Sequence, residues 1–319
     1  MAAGVHYGSW SMASDKPVII VNLKSGGGLR DAQWAKRAAR IGGELGPFDA
    51  RFTERAGHAR QLAAEEAAAG RRLVIACGGD GTISEVADGL LTSGAAATEM
   101  GIIPRGTGGD FRRSLDLPSD MGAAARRVRN SPARRIDAGR ASFVAHDGTQ
   151  AVRHFLNVAS FGFSSAVASR ANASSKALGG GIAFLSAVLR SVVSYDNAEV
   201  HLTLDDGERE RRTVVLVAIG NGAFFGGGMN ICPDARLSDN LLDCVVVGDM
   251  SAATVLTKIG RLYDGTHTSL DQVRSARVRK LHAAAVEPAQ HIPLELDGET
   301  PGRLPATFEV LPGALALRF

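Results

Sequence analysis

Cys77-Gly78-Gly79-Asp80-Gly81-Thr82-Ile83-Ser84-Glu85-Val86 decides how this chain is read. The run Leu73-Val74-Ile75-Ala76-Cys77 before it is short, apolar and partly β-branched, which predicts a buried strand. A helical pattern over residues 84–91 follows. Glycines between a strand and a helix let the backbone approach an anion closely, and the first N–H groups of the helix can then bind phosphate. No G-x-x-x-x-G-K-[ST] occurs, so this is not a Walker loop. An acid in such a turn would repel a polyphosphate unless a divalent cation lay between them, so Asp80 implies Mg²⁺. The competing reading makes Asp80 a helix cap in an ordinary strand-turn-helix.

Two further turns resemble the first. Ile103-Pro104-Arg105-Gly106-Thr107-Gly108-Gly109-Asp110-Phe111 is glycine-rich, follows a predicted strand at 101–104 and again carries a hydroxyl and an acid. Asn22-Leu23-Lys24-Ser25-Gly26-Gly27-Gly28 follows the strand Val18-Ile19-Ile20-Val21. Helical patterns at 29–45 and 58–69 and a short strand at 49–53 complete a βαβα alternation. That alternation predicts a parallel sheet covered on both faces, with ligands beyond the carboxyl ends of its strands. After about residue 130 β-type segments dominate, at 136–145, 151–159, 198–204, 213–219, 241–247, 273–286 and 292–296. Helical patterns there are confined to 177–193 and 252–262.

The expected architecture is therefore α/β. A Rossmann-like parallel-sheet domain at 17–130 would bind a nucleotide, and a mostly antiparallel β-sandwich at 131–319 would bind the second substrate. The active site would lie in the cleft between them. Residues 1–16 read as a disordered leader, and the extreme C-terminus could pack back on the first domain.

Composition narrows the function classes. Glycine fills 38 of 319 positions, about 12% against a usual value of about 7%. Aromatics at 5% are too scarce for a base-stacking platform, and a net charge of +3 argues for no nucleic-acid partner. Cys77, Cys232 and Cys244 lack metal or disulfide spacing, which fits a reducing cytoplasm. The longest apolar stretch, residues 179–193, carries Ser186 and Arg190 and falls short of a membrane span.

Taken in order along the chain, these motifs resemble the diacylglycerol kinase catalytic-domain family of bacterial lipid kinases, related to sphingosine and ceramide kinases. The resemblance rests on Gly78 to Thr82 with Glu85, on Pro104-x-Gly106-Thr107-Gly108-x-Asp110-Phe111, and on Asn157 with Gly162. It continues through Asn221-Gly222, Gly226-Gly227-Gly228, Pro233-x-Ala235-x-Leu237-x-Asp239 and Asp297-Gly298-Glu299. Gly-Gly-Asp-Gly-Thr alone also fits NAD kinases and phosphofructokinases; the ordered set is more specific.

The resemblance implies an ATP- and Mg²⁺-dependent lipid kinase. Nucleotide contacts would come from Asn22, Ser25, Gly26, Thr53, Gly78, Gly79, Asp80, Gly81, Thr82, Glu85 and Thr107. Asp80 and Asp110 would hold the catalytic Mg²⁺. A structural Mg²⁺ would take the Asp239 carboxylate with carbonyls of Arg236 and Leu241. Glu299 is the first choice for the base that accepts the lipid hydroxyl proton, and Asp297 the second or its partner. Three positions depart from the family pattern: Leu23 stands for proline, Gly109 for asparagine and Asn240 for glycine.

An apolar slot for the acceptor is sought at residues 161–168, 182–193 and in Phe224-Phe225-Gly226-Gly227-Gly228-Met229. Arginines 112, 113, 126, 127, 129, 134 and 135 read either as a solvated face or as contacts to an anionic membrane surface at the inner leaflet. A homodimer stays open. The rivals are an NAD kinase-like small-molecule kinase and a catalytically silent lipid or nucleotide binder.

Overall fold

A computed structural model describes residues 16–26, 31–106, 109–163 and 197–319. Thr107, most of the predicted leader, the predicted helix at 177–193 and most of the 161–168 stretch lie outside the described residues.

Strands β1 (Val18–Val21), β2 (Asp49–Phe52), β3 (Leu73–Gly78) and β4 (Glu99–Pro104) pair in parallel in the order β2-β1-β3-β4. Helices α1 (Asp31–Leu45), α2 (His58–Ala68), α3 (Asp80–Ser93) and α5 (Met121–Asn130) cover both faces. Alternation within each strand divides the core. Ile19, Val21, Ile75 and Cys77 pack with Ile41, Leu45 and Val128 on one side. Val18, Ile20, Val74 and Ala76 pack with Leu62, Ala63, Val86 and Leu90 on the other. Burial on both faces is why these strands read as unbroken apolar runs.

Helices α2 and α3 touch backbone to backbone at Gly89, where a Cβ would stand 2.2 Å from the Arg60 carbonyl oxygen. Gly89→Ala is therefore expected to destabilise the protein by about 1–3 kcal/mol, the usual cost of overpacking. An unchanged urea midpoint would contradict this packing.

The rest of the described chain is mainly antiparallel: β5 (Ala133–Ala145), β6 (Gln150–Phe155), β7 (Val158–Gly162), β8 (Ala198–Leu204), β9 (Glu210–Gly220), the small β10–β11 pair (Phe224–Phe225, Met229–Asn230), β12 (Leu242–Gly248), β13 (Val273–Val278), β14 (Lys280–Ala285), β15 (Pro293–Leu296) and β16 (Glu299–Arg318). Its core is built from Phe143, Phe155, Phe161 and Phe308 with aliphatic neighbours. Strand β16 joins the two halves. It runs antiparallel to β5, β14 and β15, then pairs in parallel with β4 through Ala316–Arg318. One hydrogen-bonded network thus spans both halves.

Three expected elements are interrupted. The 151–159 strand breaks at Leu156-Asn157, where the Asp297 carboxylate takes the backbone N–H groups. The 273–286 strand breaks at Arg279, because Asp205 accepts N–H from Arg279 (2.7 Å) and Lys280 (2.9 Å). The 252–262 helix becomes two, Ala252–Lys258 and Arg261–Asp264, separated at Ile259-Gly260. No helix among the described residues is long and apolar enough to cross a membrane.

Candidate active site

The carboxyl ends of β1, β3 and β4 place the three glycine-rich turns side by side. Asn22 donates from Nδ2 to Thr82 Oγ1 (3.1 Å), and Ser25 Oγ donates to the Asn22 carbonyl (3.0 Å). Gly26 adopts φ 56°. At Gly78 any Cβ would stand 2.4 Å from Thr82 Oγ1, so the turn closes only on glycine. Gly79 enters α3 in an extended conformation with no side chain capping the helix, which leaves its first N–H groups without that partner. Thr53 is tied to the same edge by its N–H to the Val21 carbonyl (2.9 Å).

Asp80 is a helix cap, but of the neighbouring helix rather than its own. Its carboxylate reaches across to the N–H groups of Gly109 (2.7 Å) and Phe111 (3.2 Å), capping α4 (Asp110–Ser114). That capped turn presents Asp110. Asp110 pairs with Arg113 (2.8 Å) and accepts the Gly227 N–H (2.8 Å) from the loop between β10 and β11. Burial pushes its pKa up, and the nearby Asp80 charge adds to the effect; the Gly227 N–H and Arg113 only partly offset it. A buried Asp110 carboxylate facing the Asp80 charge offers, with Asp80, an oxygen donor pair that fits a hard cation. Among the described residues no three His, Cys, Asp or Glu side chains converge, so such an ion would draw its other ligands from substrate, backbone or water.

Glu85 differs from expectation. Both its oxygens accept backbone N–H groups at the start of α2, from Gly57 (2.8 Å) and Ala59 (3.0 Å). It acts on the neighbouring loop by holding α2, with its carboxylate already engaged. Asp297, at φ 48°, is likewise engaged: it accepts N–H from Leu156 (2.9 Å), Asn157 (2.9 Å) and Val158 (3.1 Å), with Ser84 as a further partner. It braces the β15–β16 hairpin against the β6–β7 turn.

That brace delivers Glu299 to the first turn. Its Oε1 lies 4.0 Å from where a Cβ on Gly81 would stand. Glu299 opens to a small cleft shared with Ser84, Asp88, Arg153 and His154. Partial desolvation and then the Glu85 charge raise its pKa, while Arg153 works the other way. No local motif announces Arg153 and His154 as neighbours of Glu299. They come from β6, about 145 positions away, and are held by Asp88 through an ion pair (3.2 Å) and a Nδ1 contact (2.8 Å).

Asn157 and Asn221, quoted in the resemblance without a role, are braces. Asn157 Nδ2 donates to the Phe224 carbonyl, and Asn221 Nδ2 donates to the carbonyls of Leu156 (2.7 Å) and Asp137 (3.0 Å). On the far side of the β10–β11 loop lies an apolar cavity of about 90 Å³, lined by Phe163, Phe225, Gly226, Met229 and Leu262, with Glu295 at its wall. The residues at 224–229 proposed from the sequence therefore border an apolar space through Phe225, Gly226 and Met229 and reach Asp110 through the Gly227 N–H.

Glu295 is 7% exposed, bonded to Ser160 (3.2 Å), and burial pushes its pKa up to about 7. A carboxyl with a raised folded-state pKa binds more protons folded than unfolded between its two pKa values, so it costs stability as pH rises through that window. Glu295→Gln is expected to raise the melting temperature more at pH 8 than at pH 5. Equal shifts at both would refute it.

In the loop before β12, Asp239 takes the Leu241 N–H on Oδ1 (3.2 Å), while its buried Oδ2 has no partner. An orphaned carboxylate oxygen fits a bound cation. Arg236 and Leu241 flank it on the same loop. Asn240 sits at φ 63° and donates its N–H to Asp137 (2.7 Å). Gly109 is at φ 68°. At both departures from the family pattern the residue present tolerates the left-handed backbone that the turn requires.

Residues 16–141 match the model of the diacylglycerol kinase catalytic domain, and residues 157–319 match that of the YegS C-terminal NAD kinase beta sandwich-like domain. The chain is 34% identical over 306 residues to the "Probable lipid kinase YegS-like" protein of Pseudomonas aeruginosa, covering 95% of this chain and 94% of that one. This chain belongs to the diacylglycerol kinase catalytic-domain family. A YegS-like relative from Chromohalobacter salexigens is 31% identical over 268 residues, 84% of this chain and 82% of that one. Among solved structures, a candidate diacylglycerol kinase from Bacillus anthracis superposes with a TM-score of 0.75 at 25% identity, over 95% of this chain and 97% of the other. The two family halves meet in the site just described: the catalytic-domain half supplies Asp80 and Asp110, and the sandwich-like half supplies Glu299 and the Gly227 N–H.

Proposed function

We propose that this lipid kinase family member transfers the γ-phosphate of ATP, with Mg²⁺, to a hydroxyl of diacylglycerol or a related lipid. The observation that carries this is the position of Glu299 beside Gly81, at the helix end that Asp80 opens. The glycine turns and the uncapped start of α3 bind the phosphate chain through backbone N–H groups. Asp80 and Asp110 would hold Mg²⁺, which would supply charge neutralisation for the transferring phosphoryl group. A second ion at Asp239 would tie down the loop before β12. Asn22 and Thr82 hold the turn in register, and Asp297 orients the hairpin. Glu299 accepts the proton of the acceptor hydroxyl, its raised pKa favouring that step. Part of the acceptor's acyl portion enters the apolar cavity bordered by Phe225 and Gly226.

An apolar cavity one loop away from Asp110 favours a lipid over NAD as acceptor. Membrane contact belongs to the same proposal, since the acceptor resides in a bilayer. Several of the arginines suggested for it also have partners on this chain: Arg126 with Glu44, Arg129 with the Leu45 carbonyl and Arg134 over the Phe319 ring. Flotation with phosphatidylglycerol vesicles should therefore show weak, salt-sensitive binding, and salt-insensitive binding would refute an electrostatic attachment. The test of function is incubation with labelled ATP, Mg²⁺ and a total lipid extract, beside NAD, followed by mass spectrometry. A phosphorylated lipid is expected; phosphorylated NAD alone, or no product, would overturn the reading.

A further inference from the structure

Arg105 links the three glycine-rich turns. Its backbone N–H bonds the Gly78 carbonyl at 2.6 Å. A Cβ on Gly26 would stand 3.5 Å from its Cγ, and one on Gly79 would stand 3.8 Å from its carbonyl oxygen. Its Nη1 donates to the Asn22 carbonyl (2.7 Å) and to Ser25 Oγ (3.3 Å). The residue is 6% exposed, and its Nε and Nη2 are buried with no hydrogen-bond partner.

Such a group is costly as it stands. A buried guanidinium is normally paired with a carboxylate, yet among the described residues Arg105 makes no ion pair. The neighbours that bear on its charge are the Cys77 thiol and a second cation, Arg37. Donors without acceptors and charge without countercharge specify an anion, and N–H donors exclude a metal ion. A planar fork offering two N–H groups suits a phosphate oxygen pair.

We propose that Arg105 is a phosphate-binding residue of the nucleotide site, making a direct, metal-independent contact with the phosphate chain. This rests on the nucleotide reading above and adds a division of labour to it. Asp80 and Asp110 meet the phosphates through a cation, whereas Arg105 meets them from beneath the Asn22–Ser25 turn with no ion between. Nucleotide binding should then survive removal of divalent metal, and adenosine should be indifferent to Arg105.

The experiment is calorimetric titration of the full chain in EDTA with ATP, adenosine and tripolyphosphate. Wild type is expected to bind ATP and tripolyphosphate. Arg105→Met should weaken both by about 30-fold or more, the loss of two charge-assisted hydrogen bonds, and leave adenosine within about twofold. Arg105→Lys keeps the charge and the stem, so it should fold and lose about tenfold as the fork becomes a point charge. Unchanged binding of both anions in either variant overturns the proposal. An equal loss for adenosine also overturns it, because Arg105 would then be a strut for the Asn22 turn. Wild type that binds ATP only when Mg²⁺ is restored refutes the direct contact but leaves the nucleotide reading standing. Tripolyphosphate binding without ATP binding does the reverse.

Discussion

Asp80→Asn should lower lipid phosphorylation by about a thousandfold or more while the protein stays folded. The size follows from what the carboxylate faces. Removing a single preorganised charge or donor from a phosphoryl- or acyl-transfer site costs about two to three orders of magnitude, and in the proposed function Asp80 would also be one of two anchors for the catalytic cation. Asparagine preserves one acceptor oxygen, so either the Gly109 or the Phe111 N–H keeps a partner and α4 remains capped on one side. The stability loss should stay within about 0.5–2 kcal/mol, the usual range for a weakened cap. Asp80→Ala removes both bonds and would confound the two effects, so the asparagine variant is the sharper probe. Turnover of labelled ATP into lipid, measured beside a melting curve, checks it. A rate within tenfold of wild type at saturating Mg²⁺ would show that Asp80 serves the fold alone.

The capping of α4 by Asp80 from the preceding turn also illustrates what the sequence reveals and what it hides. Strands β1, β3 and β4 are legible because burial on both faces writes them as short apolar runs, and the glycine turns are legible because each lies within a few residues of its strand. Asp80 and Asp110 are 30 positions apart yet readable as a pair, since parallel β3 and β4 are neighbours and bring equivalent turns together. Strand β16 is not legible. Pro301, Pro305 and Pro312 punctuate it, and its pairing with β5 shifts register twice, so the period-2 burial of Gly302, Leu304, Ala306 and Phe308 does not run the length of the strand. Glu85 and Asp297 are visible as acids in motifs, but their partners lie 26–28 and 139–141 positions away. A carboxylate that holds backbone looks the same in a sequence as one that meets a ligand. Arg105 shows the converse: the unpartnered Nε and Nη2 of its guanidinium appear only once the turns around it are placed.

Glu299→Gln separates chemistry from binding, and it should slow transfer by about 10²–10⁴-fold, the range associated with a positioned general base. Glutamine is isosteric and Glu299 stands at the cleft mouth, so the hairpin braced by Asp297 should keep its shape and ATP should bind as in wild type. The pH dependence gives the decisive sign. A base works only when deprotonated, and desolvation together with Glu85 raises the Glu299 pKa. The acid limb of wild-type kcat should therefore lie above the ordinary glutamate range of about 4.3. In Glu299→Gln that limb should vanish, leaving a low and nearly flat profile. Neutralising Glu85 supplies the cross-check: Glu85→Gln removes a nearby negative charge, so it should shift the limb to lower pH while weakening the α2 cap. If Glu299→Gln retained the wild-type limb at reduced rate, the titrating group would be another residue. Asp297, deeply bonded but adjacent, would then be the base, and the brace and the catalyst would be one carboxylate.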